Sequence, residues 1–546
     1  MTKTTHFFTY VNKVMQNEWD HPAFSDYGED VNYTYGEIAT QIEKLNLVFK
    51  ACGVKQGDKI AFCGVNSSNW GISFLSVLAY RAVAVSILPD FTGADIEKLV
   101  NHSGAKILLA GPIVANKIDP ANMPDVVAVI RTKDFSVLSA KNDTFADAIA
   151  NADMLFAEAH PNGFGPADVK YHTDSMDELA LINYTSGTTS SPKGVMLTYR
   201  ALSSNVTFGV EHIPNGPDDS IVSMLPLAHM FGMAFEFLYQ VAGGTHIYFL
   251  PKLSPTILLK ALGEVKPYLM LTVPLLIEKI YNAKLKPMVS KPVVKALWNV
   301  PVIGTFIKKK VRDGLMQAFG GKLNCLIIGG AALNSEVEKC LMDVKFPFLV
   351  GYGMTEAAPL IGYVPWNEFA AHSCGRIVDR MEIRIDSENP AEIVGEIQVK
   401  GDNVMIGYYK NEEATKAAFT EDGWLKTGDL GVLDAKGNMY IRGRNKNMIL
   451  GPSGQNIYPE EIEDVINSMD GVAESLCVSR EGKLWALIFP DENYDLQGKT
   501  VEQLMADNKV KINKLLPNYS QIYQVEIMKE EFAKTPKRSI KRFMYK

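Results

Sequence analysis

The chain has 546 residues, which is enough for about three to four domains or subdomains. Its apolar fraction of 47% and charged fraction of 21% are typical of a folded protein that can bury large cores. The formal net charge of −7 argues against nucleic acid as a partner of the whole molecule.

The cysteines and the apolar runs indicate a soluble, cytoplasmic protein. The first twenty residues contain no apolar core of a secretory signal. The longest apolar stretch, 221–235, is interrupted by Pro226 and His229 and is too short to cross a bilayer. The six cysteines lie far apart without a CxxC pair, which favours free thiols in a reducing compartment: Cys52, Cys63, Cys325, Cys340, Cys374 and Cys477.

Short apolar runs alternate with helical patterns through the first 350 residues. The stretch 59–88 reads as a strand, an Asn/Ser turn, an amphipathic helix and a second strand. Further strands are predicted at 105–111, 126–132, 179–185, 245–250, 268–274, 323–330 and 346–353. This alternation predicts α/β layers with mostly parallel sheets, in which ligands bind beyond the carboxyl ends of the strands.

The pattern changes from about residue 380. Segments 381–389, 395–409 and 437–444 alternate over shorter distances, which predicts an antiparallel, barrel-like subdomain. After Arg444, predicted helices at 459–469 and 501–516 alternate with three strands in a small α+β unit. We therefore expect an N-terminal domain of residues 1–443 and a C-terminal domain of residues 448–546.

The strongest local motif is YTSGTTSSPKGV at 184–195, directly after the apolar run LALIN. Seven Ser, Thr or Gly residues occupy 185–191, where backbone N–H groups could approach phosphate oxygens, and Lys193 adds a positive charge. The stretch is not a Walker A loop, because G-x-x-x-x-G-K-[ST] does not fit it. A phosphate-binding loop is the favoured interpretation, and a flexible Ser/Thr linker is the alternative.

This loop resembles the signature of the adenylate-forming enzymes, which include acyl-CoA synthetases, luciferases and peptide-synthetase adenylation domains. Five further motifs follow in the order of that family and extend the resemblance over nearly the whole chain: LPLAHMFG (225–232), IIGGAAL (327–333), GYGMTE (351–356), GWLKTGDLG (423–431) and GRNKNMILGPSGQNIYPEEIE (443–463). The pattern is most similar to bacterial fatty-acid:CoA ligases. The resemblance implies a large N-terminal domain of layered α/β and β-rich subdomains, followed by a small mobile α+β domain.

The resemblance implies a nucleotide site built from several of these motifs. Thr355 would meet the α-phosphate, and Glu356 with Thr188 would bind Mg²⁺. Asp429 would accept hydrogen bonds from the ribose and Arg444 would reach the same sugar. Taken alone, Glu356 is more often a surface carboxylate and Asp429 a turn former. The other residues implied to bind the nucleotide are Thr185, Ser186, Gly187, Thr189, Gly330, Ala331, Tyr352, whose ring would face the purine, and Gly353.

A second group of residues is implied to bind the acid. A lone histidine among apolar residues is more often a core residue, but the family assigns the position of His229 to orienting the carboxylate. Gly351 would leave the pocket long, because a bulky side chain there would shorten it. Small or apolar lining is expected from Gly232, Met233, Phe235, Leu360 and Ile361. These residues favour a medium-to-long fatty acid, unless they are ordinary core.

Members of the family work in two steps. A carboxylate attacks the α-phosphorus of ATP to give acyl-AMP and pyrophosphate, and the thiol of coenzyme A then displaces AMP. The C-terminal domain rotates between the steps. The pivot matches Lys446, within a hinge at 444–447, and Gly454 would line the thiol tunnel.

The sequence departs from the family at two positions. Ser190 stands where the loop usually has glycine. In the tail FAKTPKRSIKRFMYK (532–546), Lys534, Thr535, Ile540 and Arg542 align with the family motif, but Ser539 occupies the place of its catalytic lysine. A hydroxyl cannot supply that positive charge. Lys537, Arg538 and Lys541 are the candidates to replace it, and slow adenylation is the alternative.

Residues 279–312 carry nine cations and no carboxylate, interleaved with apolar residues. Such a pattern favours contact with an anionic membrane, and a solvated helical insertion is the alternative.

Three functions remain open at this point: a fatty-acid:CoA ligase, an acyl-AMP ligase that delivers to an acyl carrier protein, and a non-catalytic acyl or nucleotide binder.

Overall fold

A computed structural model describes residues 3–185, 192–251, 254–450, 455–492, 494–496, 498–535 and 540–545. The first fourteen strands are β1 Pro22–Asp26, β2 Asn32–Thr34, β3 Lys59–Cys63, β4 Val83–Ile87, β5 Ile107–Ala110, β6 Ala128–Arg131, β7 Val137–Ala140, β8 Leu179–Thr185, β9 Lys193–Thr198, β10 Ser220–Ser223, β11 His246–Phe249, β12 Leu269–Thr272, β13 Cys325–Ile328 and β14 Phe348–Val350. The others are β15 Tyr352–Gly353, β16 Leu360–Tyr363, β17 Arg376–Ile377, β18 Met381–Asp386, β19 Gly395–Gly401, β20 Gly407–Tyr408, β21 Leu425–Leu433, β22 Met439–Arg444, β23 Ile449–Leu450, β24 Asn456–Ile457, β25 Val472–Arg480, β26 Lys483–Pro490 and β27 Gln524–Ile527.

The helices alternate with these strands. The first ten are α1 Phe7–Asn17, α2 Tyr35–Ala51, α3 Ser68–Ala79, α4 Gly93–Ser103, α5 Pro112–Ala115, α6 Thr144–Ala150, α7 Ala152–Ala159, α8 Tyr199–His212, α9 Met230–Gly232 and α10 Tyr239–Gly243. The others are α11 Pro255–Val265, α12 Pro274–Ile280, α13 Lys286–Val289, α14 Pro292–Leu297, α15 Ile303–Ala318, α16 Ser335–Asp343, α17 Glu412–Ala418, α18 Pro459–Asn467 and α19 Val501–Leu515. Two π-helical turns, Met233–Leu238 and Tyr281–Leu285, follow α9 and α12 directly.

The largest sheet has eight strands in the order β20-β9-β8-β4-β3-β5-β6-β7. Its five central strands are parallel, and β9 and β7 flank them in antiparallel orientation. The central strands are largely apolar, as is typical of a parallel sheet with helices packed on both of its faces. The strand–helix–strand pattern predicted at 59–88 is confirmed as β3, α3 and β4.

Two smaller sheets complete the α/β part. One has the order β10-β11-β1-β2, and the other consists of β12, β13 and β14, which run parallel. In the second sheet, β13 and β14 end just before Gly329 and Gly351, so the first glycines of the motifs IIGGAAL and GYGMTE lie at the same edge. The predicted α/β fold class is therefore confirmed.

The β-rich subdomain is organised around a four-stranded antiparallel sheet, β18-β19-β21-β22. The predicted strand segment 395–409 divides between two sheets. Its first part is β19, which ends at Gly401, and a later pair of residues forms β20, which pairs with β9 of the eight-stranded sheet. Gly401 has a φ of +146°, and a Cβ there would lie 2.2 Å from the carbonyl oxygen of Arg380, so glycine allows the chain to leave the sheet.

The C-terminal part contains a three-stranded sheet, β25-β26-β27, packed with α18 and α19 around its own apolar core. The hydroxyl of Ser335, at the start of α16, donates to the Asp464 carboxylate of α18 at 2.5 Å. The domain boundary predicted at 443–448 falls at the end of β22 and stays a prediction.

All six cysteine thiols are free. Within the described ranges, no helix is long and apolar enough to cross a membrane.

Candidate active site

The strands β8 and β9 hold the two ends of the predicted phosphate loop. Thr185 and Lys193 are register partners, and the Thr185 hydroxyl lies 3.5 Å from the Lys193 carbonyl oxygen. The predicted loop residues Ser186, Gly187, Thr188 and Thr189, and the departure at Ser190, lie outside the described residues.

Lys193 and Glu356 both contact Tyr408. The Lys193 Nζ lies 4.7 Å from the centre of the Tyr408 ring, and the Tyr408 hydroxyl donates to Glu356 Oε1 at 2.9 Å. Burial and the Glu356 carboxylate raise the pKa of the Tyr408 phenol, which therefore stays a hydrogen-bond donor. One aromatic residue thus places an ammonium and a carboxylate close together.

Sequence reasoning missed Tyr408. Its position follows from β20, in which Tyr408 pairs with Val195 of β9, and from the amide of Met405, which donates to the Glu356 carbonyl at 2.9 Å. The only available signal was an aromatic residue after Gly407 within a predicted strand segment, and such a residue is ordinarily part of a core.

Tyr352, Asp429 and Arg444 form a second contact group. The Tyr352 hydroxyl donates to Asp429 Oδ2 at 2.7 Å, and Arg444 Nε lies 3.1 Å from Asp429 Oδ1. Tyr352 and Asp429 are buried, whereas the Arg444 side chain is half exposed. Burial raises the pKa of the Asp429 carboxyl, and the Arg444 charge opposes that shift.

Strand pairing explains this second group. Asp429 on β21 and Arg444 on β22 are direct register partners in the antiparallel ladder. Before Asp429, Gly428 has a φ of +73°, and the Asp429 amide donates to Thr427 Oγ1 at 3.1 Å. The predicted Thr-Gly-Asp turn is therefore built into a strand, and its geometry directs the carboxylate to Tyr352.

A cleft of about 470 Å³ opens beside Arg444 and is lined by Thr427, Gly428, Arg444, Asn445 and Lys446. Lys446 follows β22 in a short 3₁₀ turn. Its side chain is exposed, yet partial desolvation within the cleft and the Arg444 charge lower the pKa of its ammonium. Two cations therefore face one cleft, which suits an anionic ligand.

The glycine-rich motifs lie at the edge of the β12–β14 sheet. Gly330 has a φ of +89° and is exposed, like Ala331, and a Cβ on Gly330 would have only Val273 within 4 Å. Gly353 is exposed as well, but a Cβ there would lie 2.3 Å from the Pro359 carbonyl oxygen. Thr355 is buried at the start of a 3₁₀ turn that also contains Glu356.

His229 lies in the loop between β10 and α9, and its Nδ1 accepts from the Phe231 amide at 3.3 Å. The Ala228 carbonyl of this loop accepts from the side-chain amide (Nδ2) of Asn183 in β8 at 2.9 Å. Because β8 leads to the predicted phosphate loop, His229 is fixed on the side of the sheet where that loop begins. A Cβ on Gly329 would lie 3.1 Å from the ring of Phe231, so α9, which follows this loop, lies against the IIGGAAL motif.

A buried carboxyl, Glu236, holds the same loop and was not predicted. Its Oε2 accepts from the amides of Met224 at 3.0 Å and Leu225 at 2.9 Å, and from the Ser223 hydroxyl at 3.2 Å. Burial raises the pKa of the Glu236 carboxyl well above its usual value, which favours its protonated form.

The predicted acyl-lining residues are mostly in the main core. Met233, Phe235, Leu360 and Ile361 are buried in it. A Cβ on Gly232 would lie 2.9 Å from the Pro226 carbonyl oxygen, so close backbone approach accounts for that glycine. A Cβ on Gly351 would meet its nearest atom, the Gly362 carbonyl oxygen, at 3.5 Å, an ordinary contact distance.

The chemistry of Glu356 fits a hard divalent cation. It is a half-buried carboxylate, and one of its oxygens is oriented by the Tyr408 hydroxyl. Mg²⁺ in proteins takes one or two carboxylates together with substrate phosphates, so one oriented carboxylate on the same tyrosine as Lys193 is a suitable donor. The second predicted ligand, Thr188, lies outside the described residues.

The tail is anchored to α18. Arg542 contacts the Glu463 carboxylate and lies 3.8 Å from Glu460, and the Lys541 amide donates to the Ala533 carbonyl at 2.8 Å. Lys534 is held between Glu474 at 2.6 Å and Glu531 at 2.5 Å. Other predicted residues of the C-terminal part lie outside the described ones: Gly454, Lys537, Arg538 and Ser539.

Comparison with known proteins identifies the family. The family model of AMP-binding enzymes matches residues 11–409. The peroxisomal long chain acyl-CoA synthetase 7 of Arabidopsis thaliana is 29% identical over 469 residues, which are 80% of this chain and 65% of that protein. A long-chain-fatty-acid–CoA ligase of Escherichia coli O6:H1 is 28% identical over 84% of this chain and 80% of its own length.

A solved structure has the same fold over the whole chain. The o-succinylbenzoate CoA synthetase of Bacillus subtilis, in complex with its acyl-adenylate intermediate, superimposes with a TM-score of 0.75 at 21% identity, over 100% of this chain and 99% of that one. The large N-terminal and small C-terminal parts of the predicted fold are therefore confirmed. This chain belongs to the AMP-binding enzyme family.

Proposed function

We propose that this protein is an AMP-forming acid–thiol ligase that activates a medium-to-long fatty acid with ATP and transfers the acyl group to coenzyme A. The observation that carries the proposal is the contact of Tyr352, Asp429 and Arg444, which are distant in the sequence, beside a cleft lined by cations. The buried Asp429 carboxylate can accept hydrogen bonds from both hydroxyls of a ribose. The neighbouring cations suit the phosphates of the nucleotide.

In the first half-reaction the fatty-acid carboxylate attacks the α-phosphorus of ATP. An oxygen–phosphorus bond forms to give acyl-AMP, and the bond to pyrophosphate breaks. The carboxylate is already anionic and needs no general base, only alignment and screening of the repelling charges. We assign alignment to His229 and screening to Lys193, while the Thr355 hydroxyl donates to an α-phosphate oxygen.

Mg²⁺ is the expected cofactor. When bound, it would be held by Glu356, and by Thr188 in the phosphate loop, and it would neutralise phosphate charge. Tyr408 orients the Glu356 carboxylate through its hydroxyl and contacts Lys193 through its ring.

In the second half-reaction the thiol of coenzyme A attacks the acyl carbonyl carbon, and AMP leaves with the oxygen that came from the acid. We propose that residues 448–546 form a mobile domain that turns about Lys446, with residues 444–447 as the hinge. Lys446 lies two residues after the end of β22, and this position supports the assignment. Arg444, at the end of β22, is held in the strand ladder by its pairing with Asp429. Gly454 would line the thiol tunnel.

We propose that a cation of the tail replaces the lysine that the family motif has at Ser539. The anchoring of Arg542 on α18 supports the idea, because Arg542 lies 3.8 Å from Glu460 Oε1, which also accepts from the side-chain amide of Asn447, the residue after Lys446, at 2.6 Å. Lys537, Arg538 and Lys541 are the candidates. Replacing each by alanine tests them, with Lys534→Ala as the control, and a loss of adenylation confined to one candidate identifies it.

The acyl group that we propose is a medium-to-long fatty acid. The names of the Arabidopsis and Escherichia coli relatives support a long-chain fatty acid. An acyl carrier protein is the alternative acceptor of the acyl group. A non-catalytic acyl or nucleotide binder is the other alternative, because Ser539 occupies the place of the catalytic lysine.

Pyrophosphate release from Mg-ATP, measured with fatty acids of graded length and with or without coenzyme A, separates these possibilities. The proposal predicts release that depends on the fatty acid and a thioester product only with coenzyme A. Release without a coenzyme A-dependent product would favour the carrier-protein ligase. Tight ligand binding without release with any acid would contradict the proposal.

A further inference from the structure

The segment between β12 and β13 forms a basic, partly apolar surface that the proposed reaction does not use. We define the basic helical surface by its exposed lysines and its exposed apolar side chains, which are Lys284, Lys291, Lys295, Lys309, Lys310, Met288, Val293, Val300, Val302, Ile303 and Phe306. We propose that the basic helical surface docks on the anionic headgroups of a lipid bilayer and inserts its apolar side chains.

A strained turn presents the most exposed apolar residue. Val302 has a φ of +68° and a ψ of −60°, and the Ile303 amide donates to the Pro301 carbonyl at 2.8 Å, which closes a γ-turn. This conformation is costly for a β-branched residue. The Val302 side chain is 82% exposed, so the turn gains no core contact in return. Strain of this kind is retained at functional positions.

The helix that follows the turn has two apolar faces. Val311 and Leu315 are buried and fix α15 on the second hydrophobic core. Phe306, by contrast, is 68% exposed on the other side of the helix. Lys309 and Lys310 lie three and four residues after Phe306, so they flank its ring on the same outward face. The exposed face therefore combines an aromatic anchor with two cations.

The charges of this segment are largely uncompensated. Within 279–312, Lys286 has Glu336 at 3.2 Å and Arg312 has Asp313 at 3.5 Å. For the remaining cations of this segment, no ion pair is found among the residues that the structure describes. The protein as a whole has 62 acidic and 55 basic side chains, so a carboxylate-free run of nine cations is a local concentration.

Charge and exposed apolar side chains together favour a bilayer over other anionic partners. Lysines attract anionic headgroups. The transfer of Val, Ile and Phe side chains from water to the acyl boundary is favourable. A polar polyanion such as a nucleic acid would use the lysines without needing Val302 and Phe306. The basic helical surface follows α12 in the chain. Val273, the residue before α12, lies next to Gly330 of the IIGGAAL motif. If the proposed function holds, a membrane-dissolved fatty acid would enter near Gly330, but lipid binding itself does not depend on the proposed function.

Vesicle flotation of the full chain tests the proposal, with vesicles of phosphatidylcholine alone and of phosphatidylcholine with phosphatidylglycerol. We expect binding to the anionic vesicles about tenfold or more tighter, and its loss at high salt. The double variants V302S/F306S and K309Q/K310Q should each weaken it about tenfold. Because these side chains are exposed, thermal unfolding should match that of the unmodified protein.

The matched controls lie on α19, where V510S/L515S removes exposed apolar residues and K511Q/K514Q removes exposed lysines. Both should bind vesicles like the unmodified protein. Equal binding to neutral and anionic vesicles, or no binding to either, would overturn the proposal. So would full binding by V302S/F306S alongside loss in K309Q/K310Q, because that result shows that the apolar side chains do not insert into the bilayer.

Discussion

Asp429 accepts a hydrogen bond from the Tyr352 hydroxyl at 2.7 Å through one oxygen and faces Arg444 Nε at 3.1 Å through the other. The contact joins β15, which follows β14 after one residue and belongs to the sheet β15-β16-β17, to the four-stranded antiparallel sheet. Both partners orient the buried carboxylate, and Arg444 also lines the cleft. The proposed nucleotide site depends on this arrangement.

Replacing Asp429 by asparagine should weaken ATP binding. The amide keeps the size of the side chain but removes the charge that Arg444 and a ribose hydroxyl would use. Loss of hydrogen bonds to a charged group predicts a rise in the KM for ATP of about 10- to 100-fold. Steady-state pyrophosphate release measures it. Tyr352→Phe is the control, because it removes only the inner hydrogen bond and should raise the KM less than Asp429→Asn does.

Tyr408 should contribute to catalysis through both of its neighbours. Tyr408→Phe removes the hydroxyl that orients Glu356 and keeps the ring near Lys193, so we expect the rate of adenylation to fall about tenfold. Tyr408→Leu also removes the cation–π contact, which adds a loss of about 0.5–1 kcal/mol.

The adjacent Tyr409 provides the control for that series. Its ring lies near Lys59 and Lys410, at 5.4 and 5.2 Å, and has no contact with Glu356 among the described residues. Tyr409→Phe should leave adenylation unchanged. Equal losses in the two phenylalanine variants would refute the role assigned to Tyr408.

Glu236 should make the stability of the N-terminal part depend on pH. Its pKa is raised in the folded protein, so the folded state binds more protons than the unfolded state above the ordinary Glu value. Its contribution is therefore full at acidic pH and is lost as pH rises through the folded pKa. Glu236→Gln keeps a neutral acceptor for the amides of Met224 and Leu225 and should lose less stability between about pH 5 and pH 8.

Thermal unfolding of the two proteins across that range measures the difference. Glu236→Ala leaves the two amides and the Ser223 hydroxyl without their acceptor in a buried site, which should cost about 1–3 kcal/mol at every pH. A glutamine variant as pH-dependent as the unmodified protein would show that Glu236 is ionised in the fold.

The tail contact predicts a stability effect confined to the C-terminal part. Burial raises the pKa of Glu463 to about 7, and the Arg542 guanidinium opposes this shift. Arg542→Met should destabilise the C-terminal part by about 1–3 kcal/mol, because it leaves a buried carboxyl without its charge partner. Limited proteolysis of the C-terminal part measures this.

Arg480 is the matched control, since its partner Glu526 is more exposed than Glu463. Arg480→Met should cost under about 1 kcal/mol. The double variant Arg542→Met with Glu463→Gln should recover most of the lost resistance. Proteolysis that is equal in the two methionine variants would argue against a buried pair.

Much of the fold was predictable from local patterns, because parallel strands are short apolar runs that end at polar or glycine-rich turns. The strands at 59–63, 83–87 and 179–185, for example, each follow from their own segment. The contacts of the site were less accessible. The hydrogen bond of Tyr352 spans 77 positions, and its assignment rested on family motifs.

The residues that sequence reasoning missed share a physical cause. Tyr408 acts through a two-residue strand whose partner, β9, lies far earlier in the chain, and no local periodicity encodes that pairing. Glu236 is one carboxyl in an apolar stretch, and its partners are backbone amides that any residue could supply. Gly232, by contrast, was predicted to line the acyl pocket, and that role stays a prediction; a Cβ there would lie 2.9 Å from the Pro226 carbonyl oxygen.

The most direct test of the proposed chemistry follows one oxygen atom through the reaction. A fatty acid labelled with ¹⁸O in both carboxylate oxygens is incubated with Mg-ATP, coenzyme A and the protein, and the nucleotide product is analysed by mass spectrometry. Attack of the carboxylate on the α-phosphorus predicts AMP that carries one ¹⁸O atom from the acid. Unlabelled AMP, or label in pyrophosphate or phosphate, would contradict an acyl-AMP intermediate and with it the ligase activity proposed for this protein.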